Sequence, residues 1–114
     1  MQVVWVRQRG YTILRAQDRI GAMSSPGELR PYLKEALDAG CRRVALEFTR
    51  DSVLPSAFLP LLREFARRIT GRGGSFSVVA GNPQMLEMLR WFDADGMLRS
   101  VARREELFSA SIML

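Results

Sequence analysis

The sequence contains no histidine, one cysteine (Cys41) and one lysine (Lys34). Without histidine the chain lacks the commonest general base and the commonest metal ligand, and a catalytic triad is excluded. A single cysteine excludes an internal disulfide and leaves too few ligands for a zinc or iron site. The composition therefore favours a binding protein that is not an enzyme and carries neither a metal nor a cofactor.

Long apolar runs are also missing from the sequence. No segment approaches the roughly 20 apolar residues that a membrane-spanning helix needs, and residues 1–7 carry no basic leader. Because an unpaired cysteine suits a reducing compartment, we expect a cytoplasmic protein with no direct membrane insertion. With 114 residues, the chain is expected to form a single domain over 1–114.

The formal net charge of +5 comes almost entirely from arginine. Pairs of arginine lie near the predicted ends of elements, at 42–43, 67–68 and 103–104, and no run of five or more basic residues occurs. No aromatic residues alternate with them as they would in a surface that stacks nucleic-acid bases. The pattern indicates a solvated arginine-rich surface and no nucleic-acid partner.

The spacing of apolar residues predicts strands that alternate with helices. A β-hairpin is predicted around Arg9-Gly10, with strands at 2–7 and 11–15, and later strands are predicted at 43–48, 75–80 and 97–101. Helices are predicted from Pro26 to Gly40, from the segment at 54–59 to Thr70, from Pro83 onward, and from Arg104 to about Ser111. The order ββαβαβαβα predicts an α/β domain with a mixed, mostly parallel sheet, an N-terminal hairpin and about four helices.

Local signals mark the ends of several helices. Ser25-Pro26-Gly27-Glu28 is a capping box with proline at the first helical position, and Gly40 is typical of a left-handed C-terminal cap. Asn82 is predicted to cap the third helix. Pro31 removes a helical hydrogen bond, so we expect a loose or 3₁₀ first turn in the first helix.

Taken together, these pieces resemble the STAS domain, a family of bacterial anti-sigma-factor antagonists that also includes domains of sulfate transporters. The resemblance covers nearly the whole chain. It rests on the hairpin, Pro-Gly-Glu-Leu at 26–29, Arg-Val-Ala-Leu-Glu-Phe at 43–48, Ala-Arg-Arg-Ile at 66–69, Gly73-Gly74, Ser-Val-Val-Ala-Gly-Asn-Pro at 77–83 and Glu-Glu-Leu at 105–107. It implies a protein-binding role in bacterial signalling, with a kinase-type anti-sigma factor or a related regulatory or transport complex as the partner.

The family pattern at the start of the second helix is Asp-Ser-Ser-Gly-Leu, in which the second serine is phosphorylated by a partner kinase. Counted without gaps, the aspartate position holds Pro55, the first serine Ser56, the phosphorylated serine Ala57 and the glycine Phe58, while Leu59 is kept. The resemblance therefore implies that the usual phosphoserine switch is absent from this chain. A frame shifted to Asp51-Ser52 would disrupt the match on both sides.

The partner-binding residues expected from this alignment are Ser56, Ala57, Phe58, Pro60 and Leu61. Three interpretations of Ser56 remain open: an N-cap, a relocated phosphorylation site, or a polar contact to a partner. Phe58, Leu61 and Phe65 either belong to a broadly buried helix or form an exposed apolar anchor, and Trp91 and Phe92 present the same choice. Pro60 indicates a short or irregular first turn.

Two alternative functions stay open. The first alternative, implied by the resemblance, is a small STAS subunit of a lipid-transport ABC system. The second is a nucleotide-binding protein that pairs its arginines with phosphates. The sequence has no GxxxxGK[ST] loop, and the segment 71–74 leads from a helix into a strand, the reverse of the order in a phosphate cradle. The oligomeric state is left open by the sequence.

Overall fold

The computed structural model describes residues 1–93, 96 and 98–112, the last three as backbone. Within these residues the elements follow the order ββαβαβαβα, as predicted. The strands are β1 (Val3–Gln8), β2 (Tyr11–Ala16), β3 (Arg43–Glu47), β4 (Ser75–Val79) and β5 (Arg99–Val101). The helices are α1 (Pro26–Asp38), α2 (Phe58–Thr70), α3 (Pro83–Phe92) and α4 (Glu105–Ile112). Met97, predicted to open the last strand, lies outside the described residues.

The five strands form one sheet in the order β1-β2-β3-β4-β5. β1 and β2 pair antiparallel through a turn at Arg9 (φ 50°) and Gly10 (φ 82°), both in the left-handed region that a tight hairpin requires. The other three pairs are parallel. The mixed, mostly parallel sheet with an N-terminal hairpin is therefore confirmed.

Helices cover the two faces of the sheet unequally. In β3, Val44 and Leu46 point into the large core beneath α1, α2 and α3, whereas Ala45 points to the opposite face. The predicted stripe of α2 is buried in that large core; it consists of Leu59, Leu62, Ala66 and Ile69. The second face carries a smaller cluster, to which α4 contributes Leu107 and Phe108.

Polar contacts hold α4 on this second face. The Tyr11 hydroxyl donates to the Leu107 carbonyl oxygen at 3.3 Å, and the Arg99 guanidinium donates to the Glu106 carbonyl oxygen at 2.6 Å. The rings of Tyr11 and Phe108 meet edge to face with their centroids 5.7 Å apart. Contacts from β2 and β5, which lie on either side of the central strands β3 and β4, thus position α4, a helix of only eight residues.

The first helix begins and ends as the sequence predicts. Ser25 Oγ accepts the Gly27 N–H at 3.3 Å, and Glu28 Oε2 accepts the Ser25 N–H at 2.8 Å. Gly40 has φ 76° and donates its N–H to the Leu37 carbonyl oxygen at 3.1 Å. The capping box and the left-handed cap are both confirmed.

The expected loose or 3₁₀ turn near Pro31 is wrong. The segment Pro26–Asp38 is α-helical throughout, with Pro31 inside it. The carbonyl oxygen that loses its partner belongs to Gly27, an exposed residue of the first turn, where water can replace the missing donor. The helix therefore accommodates this proline without changing its type.

An ion pair joins α1 to α2 on the outside of the molecule. Arg30 donates to both carboxylate oxygens of Glu64, at 2.9 and 3.1 Å, and this hydrogen bonding lowers the pKa of Glu64 below its ordinary value. Because the folded-state pKa is lowered, the pair stabilises the fold at neutral pH and loses its effect as the pH falls through that pKa. Both side chains are partly exposed, so the contribution is small.

None of the helices in the described ranges has the length and apolar character needed to cross a bilayer.

Gly74 marks a close approach between two backbone segments. A Cβ placed there would lie 2.3 Å from the Arg42 carbonyl oxygen and 2.9 Å from Ile69 Cγ2. The neighbouring Ser75 N–H donates to the same Arg42 oxygen at 2.7 Å, which aligns the start of β4 with β3. A side chain at position 74 would therefore separate the two central strands.

We expect Gly74→Ala to lower the free energy of unfolding by about 1–3 kcal/mol, because either the strand or Ile69 must move. Gly21→Ala is the matched control, since nothing lies within 4 Å of its added Cβ, and it should change stability by less than about 0.5 kcal/mol. Urea unfolding of both variants measures the difference. Equal stability of the two variants would contradict the close approach.

Candidate functional site

The loop between β3 and α2, residues 48–57, lies at the carboxyl edge of the parallel strands. In open α/β sheets this edge is where ligands and partners usually bind. The loop is tied to its neighbours by backbone hydrogen bonds from Phe48 N–H to the Val79 carbonyl oxygen (3.2 Å) and from Val53 N–H to the Ile20 carbonyl oxygen (2.8 Å). Residues 48 and 53 of the loop are therefore held in place, the first by β4 and the second by the segment between β2 and α1.

Ser52 is a buried residue that stabilises this loop through hydrogen bonds. Its side chain is 1% exposed, and its Oγ accepts the Ile20 N–H at 2.9 Å. The Ser52 and Thr49 hydroxyl oxygens are 2.6 Å apart, and the Thr49 hydroxyl donates to Asp51 Oδ1 at 2.8 Å. Since the Ser52 hydroxyl is hydrogen-bonded to both of its neighbours and the side chain is buried, a kinase has no access to it.

Asn82, at the start of α3, also holds this loop in place through hydrogen bonds. Its Oδ1 accepts the Met85 N–H at 2.9 Å, so the predicted capping role is confirmed. Its Nδ2 donates to the carbonyl oxygens of Arg50 (3.0 Å) and Ser52 (2.8 Å), a contact that sequence reasoning missed. The available signal was the choice of asparagine, because among the usual capping residues only asparagine also carries an NH₂ donor.

Gly81 allows the loop to approach β4. A Cβ at this position would lie 1.8 Å from the Thr49 carbonyl oxygen and 2.6 Å from the Thr49 carbonyl carbon. No rotation of a side chain relieves a contact with backbone atoms, so any larger residue would displace the loop. Gly81 and Asn82 therefore act together in setting the position of residues 49–52.

The segment 54–59 alternates between the core and the surface. Leu54, Phe58 and Leu59 are buried, whereas Ser56 and Ala57 are exposed. Helix α2 begins at Phe58 with Ala57 as its N-cap, and no side chain caps it. The turn exposes two small residues to solvent and sends its large apolar residues inward.

The predicted N-cap role of Ser56 is wrong. The N–H groups at the start of α2 are bound by backbone carbonyl oxygens, Phe58 N–H by Pro55 (3.0 Å) and Leu59 N–H by Ser56 (3.1 Å). Ala57 is in the right-handed helical region (φ −62°, ψ −19°), so the chain already turns before the helix begins. The Ser56 side chain is left exposed, one residue before the true N-cap.

Two of the predicted contact residues are buried. Phe58 is 0% exposed and Leu61 is 3% exposed, and Phe65 is buried with them. The interpretation of α2 as a broadly buried helix is confirmed, and the alternative of an exposed anchor formed by Phe58 or Leu61 is wrong. Phe58 also adds no bulk to the surface, because its ring enters the core.

Pro60 is exposed and is the third residue of α2. The N–H groups of the first helical turn have no partner within the helix, so a proline there removes no helical hydrogen bond. Residues 56–57 form a turn ahead of the helix, in agreement with the short or irregular first turn predicted at Ser56. The contact roles of Ser56, Ala57 and Pro60 stay predictions.

Helix α3 contributes a further apolar side chain at the surface. Trp91 is 86% exposed, whereas Phe92 packs against the core. Met85 is buried and Met88 packs against the core, as expected for filler residues, and Met97 lies outside the described residues.

A groove of about 430 Å³ separates α3 from the β3–α2 loop; it is lined by 50–54, Asn82, Gln84, Met85 and Met88.

No group of side chains suited to holding a metal ion occurs in the part of the chain that the structure describes.

Comparisons with known proteins identify the fold but no sequence family. No protein-family model matches the chain, and no curated protein matches it. Among solved structures, a candidate anti-sigma factor antagonist from Thermotoga maritima superposes with a TM-score of 0.73 at 15% identity, over 95% of this chain and 92% of that one. A STAS-domain anti-sigma-factor antagonist protein from Planctomyces limnophilus gives 0.67 at 19% identity, over 96% and 97%.

A third neighbour is the phosphorylated form of the Bacillus cell fate determinant SpoIIAA, with a TM-score of 0.61 at 12% identity, over 96% of this chain and 99% of that one. The protein therefore has the STAS fold over essentially its whole described length.

We expect Asn82→Asp to lower the free energy of unfolding by about 1–3 kcal/mol, because it keeps the capping oxygen but loses two donors to the loop. Asn82→Ser, which also caps but cannot reach with an NH₂ group, should behave similarly. Urea unfolding and amide hydrogen exchange at residues 50–54 measure both effects. Wild-type stability and exchange in both variants would show that the loop does not depend on Asn82.

We expect Phe58→Ala to cost about 3–5 kcal/mol of unfolding free energy, since it leaves a cavity in the core. Ser56→Ala should change stability by less than about 0.5 kcal/mol, because the hydroxyl caps nothing. Equilibrium unfolding in urea distinguishes these outcomes. A cost near 1 kcal/mol for Ser56→Ala would restore the capping role.

Proposed function

We propose that this protein is a non-catalytic STAS-type regulatory module that docks on a protein partner through the turn before α2. The exposed residues Ser56, Ala57 and Pro60 form its contact surface, which we call the docking edge. The observation that carries the proposal is Ala57, which stands exposed at the N-cap of α2 in a fold shared with anti-sigma-factor antagonists. The partner is a kinase-type anti-sigma factor or a related regulatory protein.

The way the loop is held supports a docking role. Ser52 and Asn82 use their hydrogen bonds to fix the segment that leads into the turn, and Phe58 anchors the turn in the core. A surface that is ordered before binding loses little conformational entropy when the partner arrives. The docking edge therefore presents small side chains in a defined position.

The same residues support a constitutive interaction. Alanine has no hydroxyl group, so Ala57 cannot receive a phosphate, although one structural neighbour was solved in a phosphorylated form. A phosphate would add nearly two negative charges at a helix N-terminus in the contact surface. Because Ala57 excludes that change, we propose that binding is not switched by phosphorylation at this position.

The proposal that the chain is not an enzyme rests on composition. The absence of histidine removes the usual general base, and the only lysine, Lys34, is exposed and pairs with Asp38 at 3.1 Å on the outer side of α1. Lys34 is therefore solvated, whereas a catalytic lysine would be desolvated or placed next to another cation.

We expect Ala57→Asp to weaken binding to a kinase-type anti-sigma factor of the same organism by at least about tenfold, since it places a negative charge in the contact surface. Ala39→Asp is the matched control, because Ala39 is exposed at the C-terminal end of α1. Isothermal titration calorimetry measures both affinities.

Equal affinity of the two variants would contradict the docking edge. Intact-mass measurement after incubation with the kinase tests the second part of the proposal, which predicts no phosphate on the chain. Stoichiometric phosphorylation of Ser56 would overturn it, and binding only to a permease–ATPase complex would favour the transport alternative.

A further inference from the structure

A second concave surface lies on the α4 side of the carboxyl edge. It is a crevice of about 640 Å³ between the ends of β2, β3, β4 and β5, and we call it the arginine crevice. Its charged lining consists of Arg15, Arg50, Arg103, Arg104, Glu47 and Glu105. The crevice therefore contains two more positive than negative side chains.

Glu47 at its floor is already neutralised. Arg104 binds it through two hydrogen bonds, from Nε to Oε1 at 2.8 Å and from Nη2 to Oε2 at 3.2 Å. Arg15 Nε lies 3.9 Å from Glu47 Oε2 on the other side. Because Glu47 is only 18% exposed and is shared by two guanidinium groups, it does not offset the charge of the remaining arginines.

Arg50 and Arg103 are the two cations that this arrangement leaves available. Both are exposed, and no described residue forms a hydrogen bond or an ion pair with either guanidinium group. Each therefore keeps all five N–H donors for a bound molecule. Phe48 and Phe108 also line the crevice, so its floor is partly apolar.

The positions of these two arginines favour an extended ligand. Arg50 follows β3 and Arg103 follows β5, with β4 between them, so the two arginines enter the crevice from different strand ends. A single phosphate requires donors that converge on one point. In an extended peptide, side chains two residues apart point to the same side and lie about 7 Å apart, so two such carboxylates can meet two separate guanidinium groups.

We propose that the arginine crevice binds an extended acidic segment of a partner protein, with carboxylates two residues apart paired to Arg50 and Arg103. The inference rests on the proposed function as a protein-binding module and adds the chemistry of the partner. Arg50 belongs to the loop that leads into the docking edge, and it lines both the crevice and the groove beside α3.

The test uses the full chain and a fluorescein-labelled oligoglutamate peptide, with binding followed by fluorescence anisotropy. Wild-type protein should bind saturably, and more weakly as salt is added. The double variant Arg50→Glu/Arg103→Glu should bind at least about tenfold more weakly. Arg50→Gln/Arg103→Gln, which removes the cations without reversing them, should show an intermediate loss.

The matched control is Arg67→Glu/Arg90→Glu, which changes two exposed arginines on α2 and α3 and alters the net charge of +5 by the same amount. Its affinity should stay within about twofold of wild type. Circular dichroism and urea unfolding establish that each variant is folded before its affinity is interpreted.

Three results would overturn the assignment: no saturable peptide binding, equal losses in the crevice and control variants, or equally tight binding of an oligothymidine of matched charge. Displacement of the peptide by inorganic phosphate at comparable concentration would assign the crevice to a small anion instead. If Ala57→Asp abolishes binding of the anti-sigma factor while Arg50→Glu/Arg103→Glu leaves it unchanged, the docking edge stands and the crevice assignment fails alone.

Discussion

The close approach of the β3–α2 loop to the end of β4 is the constraint on which the rest of the site depends. It requires glycine at position 81, because any Cβ there would overlap the Thr49 carbonyl group. Once the two backbones are in contact, Asn82 reaches the carbonyl oxygens of Arg50 and Ser52 while it caps α3. One pair of adjacent residues thus starts a helix and fixes a loop that is about 30 residues away in sequence.

The fixed loop determines which side chains of the following turn reach the surface. With residues 49–54 held in place, the chain enters α2 with Phe58 directed into the core and Ala57 directed to solvent. Phe58 therefore contributes to stability from inside the core. The surface beside it consists of the small side chains of Ser56 and Ala57. The docking edge is smooth because its largest neighbour is buried.

The carboxyl edge has two surfaces of different character on either side of this loop. Toward α3 lies a groove with the methionines Met85 and Met88, and toward α4 lies a crevice with unpaired guanidinium groups. Arg50 belongs to both. The fold brings Arg15, Arg50, Arg103 and Arg104 together at this edge, since parallel strands bring the residues that follow them to the same side.

The order of the elements, the parallel sheet, the capping box of α1 and the apolar stripe of α2 could all be predicted from the sequence. The capping box and the apolar stripe depend on residues within a few positions of one another, and the parallel pairing follows from the alternation of strands with helices. The ends of β1 to β4 differ from the predicted ones by at most one residue. Only the tertiary structure decided where α2 begins, because the Pro55 and Ser56 carbonyl oxygens serve as its caps and leave the Ser56 hydroxyl unused. It also decided the second role of Asn82 and the pairing of Glu47 with Arg104. These contacts join residues that are far apart in the chain, and local sequence patterns do not predict such contacts.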